Sequence, residues 1–116
     1  MINNDLSNIY STNEIKIGNF NKKTLYRKLL MVDIGTNIGT WNDIIDLSSL
    51  NIETLVSFRG TLTGDVIVTL PANEGNYYIN IRYNTSTKTL QYRRSENSWT
   101  SQTQGTITLE YTKTTD

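Results

Sequence analysis

The chain of 116 residues contains no cysteine and no histidine, and it has a single proline and a single alanine. Without cysteine it has neither disulfides nor thiolate metal ligands. Without histidine it lacks the commonest general base and the commonest metal ligand in proteins. Alanine is the best helix former, so its scarcity disfavours a helical fold. We therefore look first for a β-structure, and we expect neither a cofactor nor a metal.

The charge balance is even, with 11 basic and 11 acidic residues. Nucleic-acid partners usually require a basic excess, and anionic membranes attract clusters of Lys and Arg. The longest apolar run, Leu29–Val32, is far shorter than a membrane-spanning segment, and the first residues do not resemble a signal peptide. We expect a soluble domain, made in the cytoplasm, that binds no nucleic acid and does not insert into a membrane.

The composition and the hydrophobic pattern indicate an all-β fold. Thr occurs 18 times and Asn 14 times, and these residues favour strands and turns respectively. Apolar and polar residues alternate from Ile52 onward, and the chain as a whole reads as about eight short strands separated by turn residues, which is typical of a sandwich or a barrel. Because the alternation supplies two inner faces, we predict an antiparallel, jelly-roll-like β-sandwich over residues 13–116, preceded by a leader or linker at residues 1–12.

Individual strands can be assigned from this alternation. In the clearest one, 76–83, Tyr78 and Arg82 face away from the apolar side. Pro71 ends a strand because it has no N–H to donate, and Gln104-Gly105 is typical of a turn. The residues that we expect to be mostly buried are Val56, Phe58, Tyr77, Ile79, Ile81, Leu90, Tyr92, Ile107 and Leu109.

The opening stretch "YSTNEIKIGNFNKKTLYRK" predicts a hairpin, with a polar turn at 19–23 between two strands. Its second strand, from Leu25 to Val32, becomes apolar on both faces. A strand of this kind is covered on both sides, either by a second sheet or by another subunit.

Three polar groups resemble functional sites, and each has a simpler structural explanation. Asp43 and Asp46 could form the carboxylate pair of a glycosidase, but a solvated turn explains them better. The segment 33–37 lacks the oxygen-ligand pattern and closing Glu of a calcium loop. Arg93-Arg94, near Arg82, is explained better by cross-strand pairing with acidic residues (Glu96 or Glu110) than by nucleic acid. With no base beside any Ser or Thr, we do not expect an enzyme.

The aromatic residues are the best candidates for a binding site. Trp41 and Trp99 lie in or beside predicted loops, and Tyr78 faces away from the core set. Exposed aromatic rings beside amides and guanidiniums suit sugar rings, which present C–H faces and hydroxyls. We predict a glycan contact at Trp41, Tyr78 and Trp99, with Arg94 and Asn97 as polar partners. The alternatives are that each Trp caps the core and that Tyr78 packs against a second sheet or another subunit.

Two segments resemble the tail-fibre and receptor-binding proteins of bacteriophages from Gram-positive hosts. The opening hairpin has their Tyr-Ser-Thr-x-Glu, Gly and Tyr-Arg-Lys pattern, and the final "TITLEYTKTTD" is similar to their common ending. The resemblance covers residues 10–116. The matching residues of the hairpin are Tyr10, Ser11, Thr12, Glu14, Gly18, Leu25, Tyr26, Arg27 and Lys28.

The resemblance implies a β-sandwich tip domain, usually a homotrimer, in the tail of a phage, a prophage particle or a bacteriocin. It implies no catalytic residues. The function expected from it is attachment to a polysaccharide of the host surface, together with contacts to other tail or baseplate proteins. The alternative is a purely structural role, as a trimerising cap or baseplate adaptor without a ligand.

Overall fold

Strands account for most of the residues that the computed structural model describes, which are 12–64, 67–75, 77–95 and 102–115. No α-helix occurs among these residues, and a single 3-10 turn occupies Ser48–Leu50. The described residues form nine strands: β1 (Ile15–Phe20), β2 (Lys23–Asp33), β3 (Asn42–Asp46), β4 (Ile52–Thr63), β5 (Val68–Leu70), β6 (Ala72–Glu74), β7 (Tyr77–Asn84), β8 (Thr89–Arg94) and β9 (Gln104–Lys113).

The strands form two antiparallel sheets, which confirms the predicted β-sandwich. The five-stranded sheet has the order β1-β2-β9-β4-β5, and the four-stranded sheet has the order β3-β8-β7-β6. The chain passes between the sheets at β2–β3, β3–β4, β5–β6 and β8–β9. Most of the predicted leader lies outside the described residues; of residues 1–12 only Thr12 is described.

The core lies between the two inner faces, where alternate residues of each strand meet. β9 is central to the five-stranded sheet and contributes Ile107, Leu109 and Tyr111, each completely buried. Burial of a side chain of this size stabilises the fold by about 1.5–3 kcal/mol. The other buried apolar residues are Tyr26, Leu30, Val32, Ile34, Leu47, Leu62, Val68, Leu70, Ala72, Ile79, Leu90 and Tyr92.

The predicted opening hairpin is present as β1 and β2. Asn21 and Lys22 form its turn, with φ of 51° and 68°, and a positive φ at both central residues is typical of the two-residue turns that suit the twist of a hairpin. β2 then pairs with β9, so that Tyr26 lies opposite Tyr111 and Arg27 opposite Glu110. The hairpin is therefore an integral part of the five-stranded sheet.

The two segments that carry the phage resemblance contact each other in this sheet. The rings of Tyr26 and Tyr111 stack with centroids 6.0 Å apart. Glu14 accepts a hydrogen bond from the hydroxyl of Tyr111 and forms an ion pair of 2.5 Å with Lys113. Burial, followed by the contact with Glu14, raises the pKa of Tyr111 above its ordinary value. These residues stabilise the scaffold.

Four of the expected core residues are only partly buried or exposed. β4 has a bulge between Leu55 and Ser57, so Leu55 and Phe58 both pack against the core and Val56 does not. The prediction for Val56 was therefore wrong, because an extra residue in one strand reverses the alternation. Phe58 and Ile81 are partly buried. Tyr77, at the start of β7, is 45% exposed.

Gly105 does not form the expected turn with Gln104. It lies within β9, between Val32 of β2 and Leu62 of β4. A Cβ atom on Gly105 would lie 1.8 Å from the carbonyl oxygen of Thr61. Glycine is therefore required here because the backbones approach closely, which is one of the two common reasons for glycine in a strand.

Candidate ligand-binding face

The outer face of the four-stranded sheet carries a group of aromatic, basic and amide side chains. β8 lies between β3 and β7 in this sheet, and its residues Leu90 and Tyr92 point into the core. Because side chains alternate along a strand, Gln91 and Arg93 point outward. Their neighbours complete what we call the aromatic–arginine face, formed by Trp41, Asp43, Tyr78, Arg82, Gln91 and Arg93.

Trp41 is the centre of the face. It precedes β3 directly and is partly exposed. The guanidinium carbon of Arg82 lies 4.2 Å from the centroid of the indole ring, and that of Arg93 lies 5.9 Å away. Both are cation–π contacts. Since Arg82 belongs to β7, its side chain reaches across β8 to the ring, and the two guanidiniums hold the indole in place.

A chain of hydrogen bonds crosses the same face from β3 to β7. The amide nitrogen of Gln91 donates to Oδ1 of Asp43 at 2.8 Å, and its amide oxygen accepts from Nε of Arg82 at 2.8 Å. Because the Gln91 amide both donates and accepts, its orientation is fixed. It in turn fixes the direction of the Arg82 guanidinium.

Tyr78 and Arg93 form a second contact on the same face. Nε of Arg93 donates to the Tyr78 hydroxyl at 3.3 Å, and its guanidinium carbon lies 5.6 Å from the centre of the tyrosine ring. The backbone N–H of Tyr78 donates to Oγ of Ser95 at 2.9 Å, which extends the pairing of β7 beyond the end of β8. Arg93 therefore links the two aromatic residues of the face.

Arg82 and Arg93 have no carboxylate partner among the described residues. The ion pairs there are Lys23–Glu53, Arg27–Glu110 and Lys113–Glu14. The expected pairing of the Arg82–Arg94 group with Glu110 is therefore wrong, because Glu110 lies on the other sheet and binds Arg27. Glu96 lies outside the described residues.

Arg94 is not on the surface, contrary to its predicted role as a polar partner of a glycan. It is completely buried, because it occupies an inward position of β8. Its Nη1 donates to the carbonyl oxygens of Gly35, at 2.9 Å, and Gln102, at 3.3 Å. Its own carbonyl oxygen accepts from the N–H of Gly39 at 3.0 Å. Burial lowers the pKa of Arg94. Arg94 thus anchors the segment that leads to Trp41.

Of the predicted site residues, the structure brings Trp41 and Tyr78 onto one face. Asn97 and Trp99 lie outside the described residues. Sequence reasoning missed Arg82, Arg93 and Gln91 as members of the site, although a signal was present. Alternation along the strand puts Arg82 on the same side as Tyr78. Because Leu90 and Tyr92 point inward, Gln91 and Arg93 must point outward.

Asp43 and Asp46 do not form a pair of facing carboxylates with a shared role. Asp43 accepts the hydrogen bond from Gln91. Asp46, at the end of β3, accepts from the backbone N–H of Ser48 at 2.8 Å. This hydrogen bond lowers the pKa of Asp46. Asp43 thus belongs to the aromatic–arginine face, whereas Asp46 stabilises a turn.

An open groove of about 510 Å³ lies beside the face, at the edge of the sandwich. It forms between β4 and β7 where the short strands β5 and β6 have already ended. Arg82 belongs to both the groove and the aromatic–arginine face. Burial, followed by the charge of Asp46, raises the pKa of Tyr83, another lining residue. The groove is lined by Glu53, Thr54, Leu55, Phe58, Arg82, Tyr83 and Thr85.

The described part of the chain contains no group of three or more acidic side chains that could hold a metal ion. None of the described residues belongs to a helix long and apolar enough to cross a membrane. In comparisons with known proteins, no family model, no curated protein and no solved structure matches the chain.

Proposed function

We propose that the domain binds a saccharide through the aromatic–arginine face, as the tip of a phage-type tail fibre that attaches to a polysaccharide of the host surface. The observation that carries the proposal is the partly exposed Trp41 ring, 4.2 Å from the guanidinium of Arg82, which in turn binds the Gln91 amide. Sugar rings offer apolar C–H faces together with hydroxyls, so an indole beside hydrogen-bonding groups matches both.

The position of these side chains on a sheet also favours binding. Most of them project from three hydrogen-bonded strands, and Gln91 and Arg93 lie on the central strand β8. A site on a rigid element loses little conformational entropy when it binds a ligand. The tail-fibre assignment rests on the resemblance of the opening hairpin and the final strand, and both segments lie in the other sheet.

Removal of the indole tests the proposal. The Trp41→Ala variant and a control, Ile67→Ala, would be compared for binding to an array of bacterial surface glycans. Ile67 is 73% exposed and directly precedes β5 of the other sheet. Loss of one stacked aromatic ring is expected to weaken binding roughly tenfold or more, and the control should bind normally. Binding that survives Trp41→Ala unchanged would contradict the proposal, as would an array without any bound glycan.

A second candidate is the structural role, as a trimerising cap or as an adaptor for other tail or baseplate proteins. It is favoured by the outer face of the five-stranded sheet, where Met31 adjoins an open depression of about 500 Å³ that Thr61 and Thr106 also line. A large exposed apolar side chain there suits an interface. Sedimentation at high micromolar concentration tests this role. A trimer that Met31→Asp dissociates would support it, and a monomer would count against it.

A further inference from the structure

We propose that the ligand is an acidic glycan, and that Arg82 and Arg93 bind the carboxylate or phosphodiester group that its sugar carries. This proposal rests on the saccharide-binding function proposed above and names the class of saccharide. It follows from the charge of the aromatic–arginine face, from the donors that its guanidiniums leave unused, and from their position beside Trp41.

The charge of the face is positive. It contains two guanidiniums, Arg82 and Arg93, and one carboxylate, Asp43. That carboxylate contacts the Gln91 amide at 2.8 Å and forms none of the ion pairs found among the described residues. By contrast, Arg27 on the other sheet lies 2.6 Å from Glu110. Among the described residues, the positive charge of Arg82 and Arg93 is therefore not neutralised by an ion pair at the place where Trp41 and Tyr78 meet them.

The two guanidiniums keep most of their hydrogen-bond donors for a ligand. A guanidinium has five N–H groups. In the described structure each arginine uses Nε internally, Arg82 with the Gln91 amide and Arg93 with the Tyr78 hydroxyl. Within the described part of the chain, the terminal nitrogens of both arginines have no hydrogen-bond partner. They form the planar fork that suits the two oxygens of a carboxylate or phosphate.

The two guanidiniums are close enough to act on one group of the ligand. Asn80 lies opposite Arg93, and Arg82 lies opposite Gln91, in the pairing of β7 with β8. Arg82 and Arg93 are therefore diagonal neighbours on the same face of adjacent strands, and both contact the Trp41 ring. A sugar stacked on this indole would hold its acidic substituent within reach of both arginines, which is why an acidic sugar fits better than a free anion.

The first experiment measures anion binding directly. It follows the NMR chemical shifts of the arginine Nε–Hε groups and of the indole N–H of Trp41 as each probe is added. The probes are sodium glucuronate, glycerol 3-phosphate and neutral glucose. We expect saturable shifts at Arg82 and Arg93 with at least one anionic probe, and much smaller shifts with glucose. Glucuronate and glycerol 3-phosphate separate the carboxylate from the phosphate source. Equal shifts with glucose, or no saturable shift with either anion, would overturn the proposal.

The second experiment uses variants on the glycan array. Arg82→Gln and Arg93→Gln should each weaken binding to acidic glycans roughly tenfold or more, and Arg82→Lys should retain part of the affinity because the charge remains. The control is Arg59→Gln, which makes the same charge change at an exposed position of the other sheet. Thermal melts would confirm that the variants are folded.

The outcomes on the array distinguish this proposal from the broader one. Acidic glycans bound with dependence on Arg82 and Arg93 would support both. If the domain binds neutral glycans and this binding depends on Trp41 alone, the saccharide-binding proposal stands and the acidic-glycan proposal is overturned. If no glycan binds, both proposals fail. A single-stranded oligonucleotide that displaces the bound glycan and binds more tightly would assign the face to a different class of ligand and overturn this inference.

Discussion

Arg27 on one outer face of the sandwich has different partners from Arg82 and Arg93 on the other. On the five-stranded sheet, Arg27 lies opposite Glu110 in the β2–β9 pair and forms an ion pair with it. On the four-stranded sheet, Arg82 and Arg93 contact Trp41 and polar neighbours that carry no formal charge. Arg27 is thus neutralised within the fold, whereas among the described residues Arg82 and Arg93 have no carboxylate partner, which is the basis of the binding proposal.

The difference separates the residues that carry the phage resemblance from the residues that we propose to bind. Glu14, Tyr26, Arg27 and Tyr111 contact one another or neighbouring strands in the five-stranded sheet. The aromatic–arginine face lies on the opposite side of the molecule. A fold can carry different binding sites, so the scaffold residues do not determine which ligand the aromatic–arginine face would bind.

The largest expected effect is that of Gly105→Ala in the five-stranded sheet. The new Cβ would lie 1.8 Å from the carbonyl oxygen of Thr61, so β4 and β9 must separate. We expect a loss of more than about 4 kcal/mol, or failure to fold, measured by urea denaturation. Thr108→Ala, an outward position on the same strand, should lose less than about 1 kcal/mol. Equal stability of the two variants would show that β9 is paired differently.

The next largest effect on stability is expected at a buried isoleucine, with an exposed isoleucine as its control. Ile79 on β7 is completely buried, and Ile67 is 73% exposed. Ile79→Ala should therefore lower the free energy of unfolding by about 2–5 kcal/mol through lost burial and the cavity left behind. Ile67→Ala should change it by less than about 0.5 kcal/mol. Similar losses at both positions in denaturant melts would contradict the assignment of the inner face of β7.

The success at Ile79 and the errors elsewhere have physical reasons. Alternation along one strand is a local property, so Ile79, Ile107 and Leu109 could be assigned to the core from the sequence. The bulge at Val56 depends on how β4 pairs with β9, and the glycine requirement at Gly105 depends on the approach of a neighbouring strand. Neither is visible within a single strand.

The candidate site was predictable only in part, for a similar reason. Trp41 and Tyr78 were chosen for their chemistry, and the fold places them on one face. Arg94 also fits a glycan site by its chemistry, as a guanidinium beside an indole, yet it occupies an inward position where backbone carbonyl oxygens accept its hydrogen bonds. The meeting of Arg82 and Arg93 at Trp41 requires the β3-β8-β7 order, which joins distant segments of the chain.

Stability measured at alkaline pH tests the contribution of Tyr111 to the five-stranded sheet. The pKa of Tyr111 is raised in the folded state, whereas the hydroxyl of the same tyrosine in the unfolded chain has a pKa of about 10. Folding thus favours the neutral form of Tyr111. Its contribution to the free energy of unfolding is fully present below about pH 10 and is lost as the pH rises toward the folded-state pKa. Denaturation from pH 9 to 11.5 should show stability falling by up to about 1.4 kcal/mol per pH unit from this residue.

The Tyr111→Phe variant isolates that contribution from the ionisation of lysines. It should be less stable than the parent at neutral pH, because the hydrogen bond to Glu14 is lost, but its stability should decline less steeply above pH 10. Parallel declines in the two proteins would show that Tyr111 does not contribute to the alkaline transition.

The smallest effects on stability come from two matched arginine variants, and they test the comparison itself. Arg27→Gln removes the ion pair with Glu110, and partly exposed pairs of this kind contribute about 0–1 kcal/mol. We expect a slight loss of stability and normal glycan binding. Arg82→Gln removes a charge of the same kind on the other sheet, and we expect a similarly small change in the thermal midpoint together with roughly tenfold weaker binding.

Both variants make the same chemical change on a β-strand, so a difference in glycan binding between them depends on which face carries the arginine. If Arg27→Gln weakened binding as much as Arg82→Gln did, the ligand would have to contact the five-stranded sheet, and the assignment of one face to the scaffold and the other to recognition would be wrong.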